Sequence, residues 1–346
     1  MPYTDNFGVA LLAFWPTALL CLTIQNLPIA KWIRSSTKSH WIHNHDVARL
    51  GGFIIVFILG SSQIFIGFNF IISALLISGI PLFVVGLIED FGKEIHPKFR
   101  LLLCFIAPIF AILLLNTWIN RVNVQYIDFV LSITFIAILL TIITITALSQ
   151  AYNLIDGLNG LSAGFSIISL ACILAINQRL GQSELVLICA LFIGTITGFW
   201  LVNIAMGRLF LGDSGAYFVG FIVAWIAVLA TNANPTLSAW ALLLSTLHPV
   251  IEIFHTVIRR FRFKNNVLLA DQDHMHHLVK RFLDHKVNVK DKTRNSLSSL
   301  IILFASLPAA IIAFYFYDNT LVCATCTGLF TILYFKIYSL LSAYDG

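Results

Sequence analysis

The chain has 346 residues and a formal net charge of +5, with 59% hydrophobic residues, only 11% charged residues and a mean hydropathy of +0.90. Soluble domains carry about a quarter charged residues, so this composition excludes a water-soluble globular fold. Apolar runs that repeatedly reach the roughly 20 residues of a spanning helix exclude a β-barrel, whose strands alternate over short segments.

In chain order, hydropathy windows of about 19 residues place candidate spans near Ala18, Ile58, Ser78, Pro108, Phe135, Ile168, Leu191, Ile222, Leu244, Ala309 and Tyr334. The first apolar run has no basic residue before it and no small-residue cleavage site after it, and reads as a span rather than a removable signal. The expected fold is an all-α polytopic membrane protein: a single catalytic domain over residues 1–346, built as a bundle of about 11 transmembrane helices with a cytoplasmic cleft. Putting the loops after alternate spans on one face collects all of the 21 Lys and Arg except Arg121 and Arg179. The positive-inside rule makes that face cytoplasmic, with the N-terminus outside and the C-terminus inside. Cytoplasmic loops then fall near 31–50, 89–99, 148–160, 203–214 and 260–297. The cysteines (Cys21, Cys104, Cys172, Cys189, Cys323, Cys326) all lie in apolar runs and read as packing residues.

Polar residues in such a chain are expensive and therefore informative. They gather on the cytoplasmic face: His40 to Gly52, the pair Glu89-Asp90, the stretch Asn153 to Gly160, Asn203 with Gly212 to Gly215, and the loop Arg259 to Arg294. Asp90 and Lys93 are spaced for a helix-end ion pair. Asn153 and Asp156 share a face, with Asp156 placed to cap a helix start and Gly157 and Gly160 leaving room for a ligand or a neighbouring helix. No basic residue occurs from Asp128 to Gln178, so Asp156 lacks a local counter-charge. Asp213, between glycines at the start of a span, suits a hard cation, with helix N–H groups free for an anion. Asp90, Asp156 and Asp213 together point to a Mg²⁺-diphosphate site, because Mg²⁺ needs few carboxylates beside phosphates and water. The run Arg259, Arg260, Arg262 and Lys264 fits an interfacial segment beside anionic lipid. His274, His276 and His277 fit phosphate recognition better than zinc, since adjacent histidines rarely ligate one ion.

Taken together these clusters resemble the polyprenyl-phosphate N-acetylhexosamine-1-phosphate transferases, the WecA-type enzymes and the peptidoglycan translocase MraY of glycosyltransferase family 4. The resemblance runs from Ile42-His43 and Arg49-Leu50-Gly51-Gly52, through Glu89-Asp90-Phe91-Gly92-Lys93, Asn153 to Gly160, and Asn203 with Leu209 to Gly215, to His274-Met275-His276-His277. It implies transfer of HexNAc-1-phosphate from a UDP-sugar to undecaprenyl phosphate, with release of UMP, at a bacterial inner membrane. It also implies Mg²⁺, with Mn²⁺ able to replace it, held by Asp213. Asp90 and Asp156, with Glu89, would be the catalytic acids. Arg49, Lys93, Asn153 and Asn203 would support substrate, Gly157, Leu158 and Asn159 the uridine, and His274, His276 and His277 the phosphates. The family has two aspartates where this chain has Glu89-Asp90, and many members carry an acid where Asn159 stands. The His-x-His-His form is nearer the WecA type, which favours UDP-GlcNAc or a derivative. The implied partners are the UDP-sugar, the polyprenyl phosphate and the membrane, with a homodimer left open and no nucleic acid. The competing reading is a secondary transporter using the same acids as a cation path, against which no inverted repeat is visible.

Overall fold

The computed structural model describes residues 6–26, 48–93, 95–262 and 273–345. Among these the backbone is helical throughout its ordered elements, apart from one isolated parallel bridge between Ala48 and Leu209. The helices in order are α1 (Asn6–Ile24), α2 (Gly51–Ile66), α3 (Phe70–Asp90), α4 (Pro97–Leu115), α5 (Gln125–Leu131), α6 (Thr134–Leu154) and α7 (Leu161–Arg179). Then come α8 (Ser183–Met206), α9 (Gly212–Ala233), α10 (Ala239–Ser245), α11 (Leu247–Arg262), α12 (Met275–Lys286), α13 (Asp291–Tyr315) and α14 (Thr320–Asp345).

Nine of the described helices are long and apolar enough to cross a membrane: α1, α3, α4, α6, α7, α8, α9, α13 and α14. Every expected span has a helical counterpart, but among the described residues nine, or ten if the bent pair is one span, meet the length and hydropathy of a crossing helix, against the roughly 11 expected. The apolar helix at Ile58 is only 16 residues long. The window around Phe135 covers two helices, α5 and the start of α6. The window near Leu244 is a pair, α10 and α11, bent by 80°.

That bend has a local cause. Pro249 has no N–H to give the carbonyl four residues earlier, which would leave the Ser245 oxygen unpaired in an apolar interior. The Ser169 hydroxyl donates to Ser245 O instead, at 3.0 Å, so the break is satisfied from α7. The turned helix α11 carries Glu252, His255 and Arg259 away from the axis of α10.

At the centre is α9, buried along most of its length and packed on α2, α3, α6 and α7. Lipid offers apolar side chains no less than a protein core does, so helix association here depends on close packing and polar contacts. The N-terminal turn of α9 is gripped tightly for that reason. A Cβ on Gly86 would lie 2.2 Å from Ser214 N, and one on Gly52 would lie 2.4 Å from Gly215 N. The preceding loop is stitched to the start of α2 by Phe210 N–H to Ala48 O (2.8 Å), Gly51 N–H to Phe210 O (3.0 Å) and Gly52 N–H to Leu211 O (2.8 Å). At the far end of α9, Arg121 donates to the carbonyls of Thr231, Asn234 and Pro235. Arg121 thus lies at the end of the bundle opposite Asp213.

Candidate active site

The glycine-lined approach of α2 and α3 to α9 positions Asp90, the last residue of α3. Its Oδ1 accepts the Asp213 N–H at 2.8 Å, and its Oδ2 accepts both the Ser214 N–H at 3.0 Å and the Ser214 hydroxyl at 2.7 Å. Arg49 Nη1 stands 3.8 Å from Oδ1, and both side chains are buried. The first N–H groups of a helix have no partner in their own helix and favour an anion. Here that anion is a carboxylate from another helix, so the N–H groups of Asp213 and Ser214 are not open to a ligand as the sequence pattern suggested. Asp90 faces α9 and Arg49 rather than Lys93, which is exposed in the turn after α3. Its neighbour Glu89 is also buried and pairs with Arg100 at 3.3 Å.

With Asp90 committed to the helix start, Asp213 and Asp156 are the acids left to a ligand. Asp213 Oδ1 accepts the Asn153 amide at 3.0 Å, which ties α9 to the end of α6. Asp156 is half-buried in the loop that follows; its N–H donates to Asn153 O at 3.2 Å, and its carboxylate makes no hydrogen bond among the described residues. It does not cap α7; Gly160 does, in the left-handed conformation with φ 73°. Desolvation first, then the charges of Asp213 and Asp90, hold the Asp156 carboxyl well above the ordinary carboxylate range, against a smaller opposing effect of Arg49.

A raised folded-state pKa means that ionising Asp156 subtracts stability as pH climbs from the ordinary carboxylate value through the raised one. Asp156→Asn is therefore expected to raise the unfolding temperature of the ligand-free protein at pH 8, by about 2–4 °C for each kcal/mol relieved. The gain should vanish towards pH 4. Intrinsic tryptophan fluorescence during heating checks this, and a lower unfolding temperature at pH 8 would refute the assigned repulsion.

The histidine segment closes the other side. His276 is buried and packs so tightly on the Asp156 loop that a Cβ on Gly157 would meet its Nε2 at 2.3 Å. Its Nδ1 is buried and makes no hydrogen bond among the described residues. Burial, followed by His277, His274 and His248, pushes the His276 pKa well below the ordinary imidazole range, so the ring is neutral. The rings of His274 and His276 stack with centroids 5.5 Å apart, and His277 lies 4.2 Å from His276. A carboxylate that the sequence pattern did not single out fixes the segment: Glu252 Oε1 is 3.1 Å from both His274 Nδ1 and Met275 N.

Other expected residues take supporting positions. Asn203 is buried, and its amide donates to Leu209 O at 2.6 Å, bracing the loop before Asp213. Asn159 faces α13, with its N–H donating to Asn295 Oδ1 at 2.7 Å and its amide to Ser296 Oγ at 3.4 Å. Leu158 is buried beside it. The expectations for His40 to Asp46 and for Lys264 lie outside the described residues. Ser214, Arg100, Asn295 and Glu252 were not anticipated. Of these Glu252 alone carried a readable signal, as a single acid in an otherwise apolar stretch.

Among the described residues no cluster of three or more His, Cys, Asp or Glu side chains is gathered to hold a metal by itself. A donor set of one or two carboxylates suits Mg²⁺ when phosphate and water oxygens complete the shell, and the partly exposed Asp213 carboxylate, whose partner among the described residues is the Asn153 amide, fits that demand.

Comparison with known proteins bears on the same stretch. Residues 72–231 match the family model described as glycosyl transferase family 4. This interval holds Asp90, Asn153, Asp156, Asn203 and Asp213. A Bacillus subtilis (strain 168) protein described as a probable undecaprenyl-phosphate N-acetylglucosaminyl 1-phosphate transferase is 25% identical over 254 residues, covering 72% of this chain and 70% of that one. A Yersinia pestis undecaprenyl-phosphate alpha-N-acetylglucosaminyl 1-phosphate transferase is 33% identical over 147 residues, which is 41% of this chain and 40% of the relative. A Campylobacter jejuni phospho-N-acetylmuramoyl-pentapeptide-transferase is 26% identical over 325 residues, covering 82% of this chain and 91% of that one.

Proposed function

We propose that the chain, whose residues 72–231 match glycosyl transferase family 4, is a multi-pass membrane phosphoglycosyltransferase of that family and moves HexNAc-1-phosphate from a UDP-N-acetylhexosamine to undecaprenyl phosphate. UMP leaves, and the lipid-linked product starts a cell-envelope glycan. The observation that carries this reading is the meeting of Asp213, Asn153 and Asp156 with the histidine segment seated on Gly157. It sets two acids with no ion-pair partner among the described residues beside the neutral, buried His276 ring and the Asn153 amide, which suits a diphosphate that needs positioning and charge neutralisation. UDP-GlcNAc or a derivative is the favoured donor, since two of the relatives above are N-acetylglucosaminyl transferases by description.

A phosphate monoester with its second pKa near 6 is largely dianionic at neutral pH, so its oxygen needs no base. In the simplest course that oxygen forms a bond to the β-phosphorus of the UDP-sugar, the bond from that phosphorus to the bridging oxygen breaks, and the electron pair leaves on UMP. Asp213 would hold Mg²⁺, or Mn²⁺ in its place, which when bound supplies positive charge to the diphosphate. Asp90 and Arg49 hold the helix start that aims Asp213, Asn153 fixes the orientation of that carboxylate, and Asp156 lines the opposite wall. His276 offers a neutral ring to phosphate oxygens. The positive-inside rule supports a site on the cytoplasmic face of a bacterial inner membrane, as part of the same reading.

The test is UMP release by the purified full-length protein with a panel of UDP-sugars, scored together with the mass of the lipid product. Release is expected only when a UDP-HexNAc, polyprenyl phosphate and Mg²⁺ are all present. Release that ignores the lipid would refute the transferase reading, and ion-driven uptake into proteoliposomes without UMP release would restore the transporter.

A further inference from the structure

The last helix, α14, lies beyond the region matched to the family, yet it reaches the histidine segment. Most of α14 is exposed; the residues that turn inward are Cys323, Thr327, Tyr334, Tyr338 and Leu341, which fall on one face at about 3.6 residues per turn. Facing them is a stripe on α11: His248, Glu252, His255 and Arg259, again one helical face.

Two polar rungs join the stripes to the histidine segment. In the first, the Tyr334 hydroxyl donates to Glu252 Oε2 at 2.5 Å, while Glu252 Oε1 engages His274 Nδ1 and the Met275 N–H. Thr256 Oγ1 stands 3.3 Å from the same His274 nitrogen. In the second, the Tyr338 hydroxyl and Arg259 Nη1 both donate to Asp273 O, at 2.9 Å and 2.5 Å, and Arg259 also donates to the Tyr338 oxygen at 2.6 Å. Histidine rings fill the space between the rungs: His255 lies edge-on to Tyr338 at 4.2 Å and to Tyr334 at 5.9 Å, and His248 packs on Tyr334 at 5.8 Å. Residues 273–275 are thus held from both sides just before the turn that seats His276 on Gly157.

Resting on the transferase reading above, we propose that Tyr334 and Tyr338 of α14 are positioning residues for the nucleotide-sugar site, acting through Glu252 and Asp273 on the histidine segment. Neither tyrosine touches Asp213, Asn153 or Asp156. What they set is the place of His274 and His276 against the Asp156 loop. A buried carboxylate needs its donors, and losing the Tyr334 hydroxyl leaves Glu252 to draw on His274 and Met275 alone. The segment then gains freedom at the point where phosphate oxygens would be met.

Tyr334→Phe and Tyr338→Phe in the full-length protein test this, because phenylalanine keeps the ring packing against His248 and His255 and removes only the hydroxyl. Each is expected to raise KM for the UDP-HexNAc about five- to tenfold, as loss of a hydrogen bond to a charged or polar partner allows. The expected kcat and KM for polyprenyl phosphate stay within twofold. A purely structural role would move both KM values together or lower the active fraction, so equal changes for the two substrates, or none beyond twofold, overturn the proposal. UDP affinity by calorimetry gives a reading that does not need turnover. Parent protein that binds UDP but releases no UMP would refute the transferase reading alone; the proposal then stands if the variants bind UDP about fivefold more weakly and falls if they bind it equally. Parent protein that binds no UDP overturns both.

Discussion

Asp213→Asn is expected to lower UMP release by about 10³-fold, the order seen when one electrostatic contact to developing charge is removed, while the protein folds with an unchanged or slightly higher unfolding temperature. The asymmetry between activity and stability follows from what each part of the residue does. The backbone N–H of Asp213 meets Asp90, and a side-chain amide leaves that bond alone. An asparagine Oδ1 still accepts the Asn153 amide, which lies 3.0 Å away in the parent. What disappears is one negative charge, and with it a repulsion felt by Asp156 and the best-placed carboxylate for a hard cation. Turnover measured at several Mg²⁺ concentrations, alongside thermal unfolding, checks both halves. Activity within tenfold of the parent would remove Asp213 from the centre of the proposed site. A full loss of folding would mean that its charge, and not only its N–H, holds α9.

The three aspartates were legible in the sequence because carboxylates are rare near hydrocarbon, and their order along the chain set the family resemblance. Span positions were legible for the same reason: an apolar run long enough to cross reads as a span whatever its neighbours do. The direction of a run is another matter. Hydropathy records that residues around Leu244 are apolar, but Pro249 and the hydroxyl of Ser169, far apart in sequence, decide that the helix turns by 80° there. Roles within the site were hidden in the same way. Asp90 looked like a free acid because its partners, Asp213 and Ser214, lie on α9, with five helices between it and α3. Glu89 pairs with Arg100 across the turn into α4, a contact that the sequence pattern did not show. Asn203 and Asn159 carry the polarity of binding residues and also brace loops, a contact pattern that only the fold reveals. Glu252 obeyed the rule that found Asp156, a lone acid among apolar residues, but its meaning depends on His274 and Tyr334, both distant in the chain.

The counterpart to Asp213→Asn is Asp90→Asn, for which stability and activity should fall together. Asp90 is 1% exposed, and its two oxygens take three donors from the start of α9. Asparagine keeps one acceptor oxygen and turns the other into an N–H₂ group, so at least one buried donor of Asp213 or Ser214 faces another donor. An unsatisfied buried donor costs about 1–3 kcal/mol. Removing an anion from a helix N-terminus costs a further ~1 kcal/mol, and the buried Arg49 guanidinium, 3.8 Å away, loses one nearby opposite charge. A drop in unfolding temperature of several degrees is expected, at about 2–4 °C per kcal/mol. UMP release should fall by at least 10²-fold, because α9 no longer presents Asp213 in one place. Ser214→Ala is the graded control. It removes only the 2.7 Å hydroxyl donor, leaves both N–H bonds, and should cost roughly half as much stability with a smaller loss of turnover. If Asp90→Asn instead keeps the parent unfolding temperature within a degree and still abolishes turnover, Asp90 meets substrate directly and the helix-start role is wrong. If it unfolds the protein while Asp213→Asn does not, the two acids divide as the geometry indicates: one builds the end of α9, and the other uses it.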